Sequence, residues 1–367
     1  MRLSRLSSFL FALAVSLAPS AWSQALPDLG GAGDAALSPQ TERRLGENIV
    51  REIRFRDPSY VDDPEVTEYL AALGARLAQS MSGARQDFDF FVVRDASINA
   101  FALPGGFVGV HTGLINAADT ESELASVISH EIAHVTQRHI ARMFGQQQQM
   151  KMPMMVALAA AILLGSARSD LASGAAAAIQ AGAAQAQLSY SRDFEREADR
   201  VGLQALAGAG FDARAMAAFF EKLQRHTRVA DDGTVPGYLR SHPVTTERIA
   251  DAQNKSSGLP YKQHLDSEEF HFVRAKLRAD WGHPADAVRH FQSSLREGRF
   301  ARESAARYGL VNALVRARQG MQAQAELGRL RASGSAGPMI ETLAARVRRA
   351  QGDVAGAASL LREARGK

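Results

Sequence analysis

The sequence predicts a mostly α-helical protein with a small β-sheet, built as a compact body followed by an α-solenoid of helical hairpins. Three observations carry that prediction. Apolar residues recur at helical spacing in the first third, around two short β-like runs. A His-Glu-x-x-His sequence lies inside a helix with a marked start. After about residue 265 the composition shifts to Ala, Arg and Leu, with a period near 34 residues. A chain of 367 residues suggests about two domains. Its 46% hydrophobic and 22% charged residues are those of a globular protein. It has no Cys, which excludes a disulfide scaffold, a thiol nucleophile and a thiolate metal site.

The N-terminal stretch reads as an address. Arg2 and Arg5 precede the apolar run Phe9–Leu17, with small residues at Ala21 and Ser23. This is the pattern of a secretory signal peptide, residues 1–23, with cleavage expected after Ser23. The apolar run is well short of the roughly 20 residues that span a bilayer. Residues 24–38, rich in Gly, Ala and Pro, read as a flexible lead-in. Leu45, Ile49 and Ile53, then Val66, Leu70, Leu73 and Leu77, mark helices from Pro39 to about Arg54 and from Asp63 to about Met81. Phe88–Val93 reads as a strand. Ala100–Val110 has two apolar arms around Pro104-Gly105-Gly106, a hairpin or bent strand. Residues 152–167 carry no charge and 171–188 are mostly small. They read as packed helices, or as a hairpin that meets a membrane or covers the site.

Thr120 to about Met143 is expected to form one long helix. Thr120 and Glu123 make a capping box at its start. Within it, His130 and His134 are one turn apart and project from one face, so both imidazoles can bind a single Zn²⁺. Glu131 can reach a water at that metal and act as general base. A second helix around Ser191–Arg200 places Glu195 and Asp199 on one face. Glu195 can complete a His₂Glu set, and Asp199 can orient a ligand histidine from behind. Glu197 is expected to point elsewhere, at the surface. His139 reads as a helix-surface residue, and His111 and Tyr190 carry no assignment.

These residues resemble a family. His130-Glu-x-x-His134 followed by Glu195-x-x-Ala198-Asp199, with Asn99–Ile115 upstream, is similar to the gluzincin metallopeptidases of the HtpX and CAAX-prenyl-protease type. The resemblance covers about residues 39–255. It implies that His130, His134 and Glu195 hold one Zn²⁺ per chain and that Glu131 is the catalytic base. The membrane-integral relatives have several spanning helices, and this sequence has none of convincing length. The signal peptide and the C-terminal repeats resemble instead the soluble periplasmic subgroup, whose members act on outer-membrane protein assembly. The implied activity is that of a periplasmic zinc endopeptidase for misfolded or stalled outer-membrane proteins. The implied partners are those proteins, and the assembly machinery reached through the repeats. The alternative is a chaperone or adaptor for the same clients. In either case an extended segment such as Phe107–Val110 could pair with a substrate strand.

Ser241-His242-Pro243 follows the second helix by about 40 residues. His242 could stabilise an oxyanion as a catalytic residue. It could occupy the fourth metal position and hold the enzyme latent, or it could be a loop histidine.

The first domain is expected over 39–262 and a tetratricopeptide-like domain over 265–367. Gly282, Gly320 and Gly352, spaced 38 and 32 residues, are each expected to close a helix. Five residues on stand Ala287, Ala325 and Ala357, and seven before stand Ala275, Ala313 and Ala345. Arg278, Arg316 and Arg348 occupy one aligned position, as a basic groove or as stems over apolar surface. Residues 24–266 carry net charge −6 and residues 267–367 net +8. The basic balance is therefore a local docking surface for the body, a partner protein or a peripheral membrane contact. Without an aromatic-rich basic motif, nucleic acid is not an expected partner.

Overall fold

The structure, a computed structural model, describes residues 37–81, 87–146, 192–229 and 237–365. The expected signal peptide, nearly all of the lead-in, Tyr190 and the apolar segment 152–188 lie outside the described residues.

The body is a four-stranded sheet between helices. Helix α1 (Pro39–Arg56) begins where Ser38 accepts a hydrogen bond from the Thr41 amide and proline takes the first turn. After β1 (Tyr60–Val61), α2 (Pro64–Gln79) is capped by Asp63 in the same way. The strands β2 (Asp89–Val93), β3 (Ala100–Leu103) and β4 (Phe107–His111) follow. The sheet order is β1-β2-β4-β3, with β2 parallel to β4 and β3 antiparallel to it. The expected hairpin is present: Gly105 and Gly106 take positive φ at 78° and 96°. A Cβ on Gly105 would stand 2.4 Å from the Arg43 backbone, so only glycine fits.

Both faces of the sheet are buried, by the period-two alternation of strands. Phe91, Val93, Phe101, Leu103 and Phe107 pack against α1. Phe90, Val92, Ala100, Val108 and Val110 share the larger core with α2 and the helices beyond. Helix α3 (Thr112–Ala117) leads to α4 (Glu121–Thr136), which is buried along nearly its whole length. Its start departs slightly from the expected box. Thr120 accepts from the Glu123 amide, but Glu123 reaches back to the amide of Asp119. The expected single helix to Met143 is also broken. It stops at Thr136, and α5 (His139–Gln146) starts in a new direction. Helices α6 (Arg192–Gly208), α7 (Arg214–Val229), α8 (Gly237–Ser241) and α9 (Thr246–Ser257) complete the body.

The C-terminal third is three helical hairpins: α10 (Glu268–Ala279) with α11 (Pro284–Glu297), α12 (Glu303–Arg316) with α13 (Gly320–Ala332), and α14 (Pro338–Ala350) with α15 (Val354–Arg365). One expected register is corrected. Gly282 and Gly352 follow their helices with positive φ, but Gly320 starts α13, and the left-handed residue of the middle hairpin is Arg318 at φ 60°. Aligned on Arg318, the spacings become 36 and 34 residues. The small residue five later is then Ala323, buried like Ala287 and Ala357, whereas Ala325 is exposed. Nine later is buried Leu327, matching Phe291, so the poor fit at Arg329 disappears. Arg316 is therefore not equivalent to Arg278 and Arg348. Its guanidinium donates to the carbonyls of Ala279, Trp281 and Gly282, at the end of α10.

Helix α10 joins arm to body. Phe270, Val273 and Leu277 sit in the core of the body, while Phe272, Ala275 and Ala279 sit in the core of the arm. Its cap residue Ser267 donates to Glu121, the first residue of α4, through both its amide and its hydroxyl. His264 and Tyr69 lie 2.9 and 3.0 Å from the same carboxylate. Lys276, buried, donates to Asp63 and Glu65 in the body.

Candidate metal centre

The site forms where α4, α6 and α8 meet. Along α4, residues four apart share a face, which puts the His130 and His134 rings side by side with centroids 4.6 Å apart. Gly202 lets α6 cross close to them: a Cβ there would come within 3.1 Å of the His130 amide nitrogen. Glu195 and Asp199, one turn apart on α6, face the same point. Helix α8 is tied to the strand entry by the Tyr238 amide, which donates to the Ile98 carbonyl. His242 extends its turn, its amide donating to the Tyr238 carbonyl, and Pro243 ends it.

His130, His134, Glu195 and His242 each offer one ligand atom, all within 4.8 Å of one another. His130 Nε2 lies 2.9 Å from His134 Nε2 and 3.3 Å from His242 Nδ1. Glu195 Oε1 lies 2.9 Å from His242 Nδ1 and 3.4 Å from His134 Nε2. His242 Nε2 stands 3.6 Å from Glu131 Oε1. These four residues, with Glu131 and Tyr238, are no more than 2% exposed, so the described site is closed to bulk water. Tyr238 stacks on His242 at 4.7 Å, and its hydroxyl has no hydrogen-bond partner among the described residues.

The donor set fits a metal ion. Two imidazole Nε2 atoms at 2.9 Å, a carboxylate and a third imidazole converge without enough protons to satisfy one another, which a cation on their lone pairs would do. His and Glu donors without thiolate suit zinc. Among the described residues this chemistry is that of one metal ion, and zinc is the ion it suits.

The surrounding charges are arranged in layers. Asp199 Oδ1 lies 3.0 Å from His130 Nδ1, and both Asp199 oxygens accept from Arg248 at 2.7 Å. Arg248 also stands 2.7 Å from Glu195 Oε2. Burial opposes charge on His130, but Asp199 and Glu195 outweigh it and raise its pKa to about 9. Burial holds His134 well below the usual histidine range. Burial would raise Glu195, yet His242, His130 and His134 bring it well below an ordinary carboxylate. Burial raises Glu131; His242, His130 and the Ala102 backbone amide act against that rise.

Three sequence expectations are corrected here. His139 is not a surface residue: it is fully buried, its Nδ1 2.9 Å from His134 Nδ1. Glu197 does not point away, since its carboxylate meets His139 and Arg142. Phe107–Val110 is not open for pairing, because β4 lies between β2 and β3. The edge strand beside the site is β3, whose four residues are buried. The Asn99 carbonyl accepts from His111, so by antiparallel alternation Ala100 and Ala102 direct their backbone groups away from β4. His111 is buried with Ser97 Oγ 2.9 Å from its Nδ1, apart from the cluster.

Among the described residues no helix is long and apolar enough to cross a membrane. Residues 64–256 match the model of peptidase family M48. The beta-barrel assembly-enhancing protease of Yersinia pestis is 35% identical over 295 residues, covering 80% of this chain and 60% of that protein. Its namesake in Escherichia coli (strain K12) is 38% identical over 251 residues, 68% of this chain and 51% of that protein. The mitochondrial metalloendopeptidase OMA1 of Arabidopsis thaliana is 27% identical over 221 residues, 60% of this chain and 42% of that protein. The chain thus spans little more than half the length of the bacterial relatives it matches. With a His-Glu-x-x-His helix, a Glu on the crossing helix and the matched stretch containing both, the chain belongs to peptidase family M48.

Proposed function

We propose that the protein is a zinc endopeptidase of the periplasm that degrades misfolded or stalled outer-membrane proteins and assists their assembly. The observation that carries this reading is the convergence of His130, His134, Glu195 and His242 within 4.8 Å, with Glu131 beside them. The family match and the names of the bacterial relatives support the reaction and the client class.

His130, His134 and Glu195 would hold the ion, and Asp199 would keep His130 oriented for it. When bound, zinc polarises a scissile carbonyl and makes water acidic near neutral pH. Glu131 takes a proton from the attacking water and returns it to the leaving amine. Its burial, which raises its affinity for a proton, suits that exchange. Strand β3, the buried edge strand beside Glu131, receives an extended substrate segment once the closed site is uncovered, so affinity comes from main chain rather than sequence. The arm, as tetratricopeptide-like hairpins, recruits clients or assembly machinery, and its basic charge also suits a peripheral membrane contact.

His242 has a specific reading. Its ring fills the space between Glu131 and the other three donors, the space that water and substrate need. The full burial of the site supports a latent state in which His242 is a fourth ligand, released when α8 moves. The competing role, a catalytic oxyanion donor, predicts the opposite outcome on removal. In His242→Ala, cleavage of an unfolded protein rises if His242 restrains the site and collapses if it is catalytic. No change discards both.

The central test uses zinc-loaded wild type and Glu131→Gln with an unfolded β-barrel protein. Cleavage by wild type alone is the expected result. Equal suppression of aggregation by both, with no cleavage by either, would replace the peptidase with a chaperone or adaptor.

A further inference from the structure

His139 was expected at the surface, and nothing in the reaction above uses it. Yet it is buried against the centre. We infer that His139 is a positioning residue for His134, the middle of a relay from Glu197 through His139 that fixes which nitrogen of His134 faces the ion. The inference rests on the metal-centre reading and extends it to residues outside the ligand set.

The hydrogen-bond chemistry allows one assignment of protons. His134 presents Nε2 to the cluster, 2.9 Å from His130 Nε2 and 3.4 Å from Glu195 Oε1. A neutral imidazole has one N–H and one lone pair. A ligand nitrogen must present its lone pair, so the proton of His134 sits on Nδ1. That N–H donates to His139 Nδ1 at 2.9 Å, which must therefore be the acceptor. The proton of His139 is then on Nε2, and Glu197 Oε2 accepts it at 3.2 Å. Arg142 donates to the same oxygen at 2.8 Å and balances the charge. A doubly protonated His139 would set N–H against N–H at the His134 contact, so the relay works with a neutral ring.

The backbone is bent to make this contact. On a continuous helix, residues five apart face about 140° away from each other. His139 reaches His134 only because α4 ends at Thr136 and Arg138 takes φ 53°. A left-handed conformation is strained for a non-glycine residue. Arg138 is held there by its side chain, which donates to Glu42 Oε2 at 3.3 Å and the Leu37 carbonyl at 2.6 Å. The His139 ring lies flat on Phe194 at 4.6 Å and 12°. Helix α6 thus supplies Glu195 to the cluster, Phe194 to the ring and Glu197 to the end of the relay. The opposite ligand differs: His130 Nδ1 faces the Asp199 carboxylate directly.

The test uses the full chain and zinc itself, with a competing chelator. His139→Phe keeps the stacking and removes the acceptor; it is expected to weaken zinc binding by about 10- to 100-fold. His139→Gln, whose side-chain oxygen can still accept, is expected to recover most of that affinity. Melting of the metal-free proteins separates a folding defect from a metal defect. In zinc-loaded wild type, long-range ¹H–¹⁵N spectra should show His134 protonated at Nδ1 and His139 at Nε2. Should His139→Phe fail to fold, Glu197→Gln is expected to weaken zinc binding measurably and shift the His139 resonances. Equal zinc affinity in wild type and His139→Phe, or a proton on His139 Nδ1, overturns the relay. A wild type that binds no zinc overturns the metal centre itself, a result the same titration distinguishes.

Discussion

Arg248 shows how much the centre depends on single side chains. Its guanidinium is buried and answers two acids at once, Asp199 through two hydrogen bonds and Glu195 at 2.7 Å. Removing one partner from such a set leaves charges buried without compensation, at about 3–5 kcal/mol. Arg248→Met should therefore lower the melting temperature of the metal-free protein, and zinc should restore part of it by neutralising Glu195. Glu131→Gln is the contrasting case, since the amide keeps the side chain's shape and His242 Nε2, at 3.6 Å, is beyond hydrogen-bond distance. Turnover should fall by at least about 10²-fold, with zinc content measured by metal analysis unchanged. At this scale the spacing rules were informative where a residue sits on a straight helix. His130 with His134, and Glu195 with Asp199, obey the one-turn rule and are together in the structure, with Glu131 next to His130. His139 escaped it because a helix break at a left-handed arginine has no reliable sequence mark. Such a position usually announces itself with glycine or asparagine.

Among the elements, β3 is the buried edge strand proposed to receive substrate. Ala100 is its first residue and turns its N–H away from β4, a place where an edge strand tolerates proline. Ala100→Pro should therefore fold and keep its zinc. It should raise KM for an unfolded substrate about five-fold, the equivalent of one net hydrogen bond of about 1 kcal/mol. A KM equal to that of wild type would place substrate elsewhere. The hairpin arms were legible from their apolar runs, but the strand order was not, because pairing between β2 and β4 is set by long-range contacts. The repeats show a related limit. Glycine was the natural marker of each turn, and it worked at Gly282 and Gly352. In the middle hairpin an arginine does that job, and the glycine two residues later drew the alignment out of register.

For the whole molecule, the seam between body and arm is polar and specific. Glu121 sits at the start of the metal-bearing helix and gathers donors from Tyr69, His264 and Ser267. Burial alone would raise its pKa, but the bonds from Ser267 and His264 outweigh this and lower it from 4.5. A depressed carboxylate contributes stability above its unfolded pKa and loses it as pH falls through the folded value. Glu121→Gln should thus melt below wild type at neutral pH, and the gap should close as pH drops below about 4.5. A gap independent of pH would show that packing, not charge, is what the substitution damages. The charge split along the sequence anticipated that an acidic body could meet a basic arm, and Lys276 with Asp63 and Glu65 is one such meeting. It could not show that the first arm helix is shared.

That sharing governs what happens when the chain is cut. The connector around Tyr261–Lys262 is exposed and irregular, an inviting place for a protease to nick. Yet α10 lies on the far side of the nick, with Phe270, Val273 and Leu277 still seated in the body. The two pieces should stay together after cleavage, co-eluting on a sizing column and separating only in denaturant. Expressed as separate chains, they should find each other and rebuild one molecule.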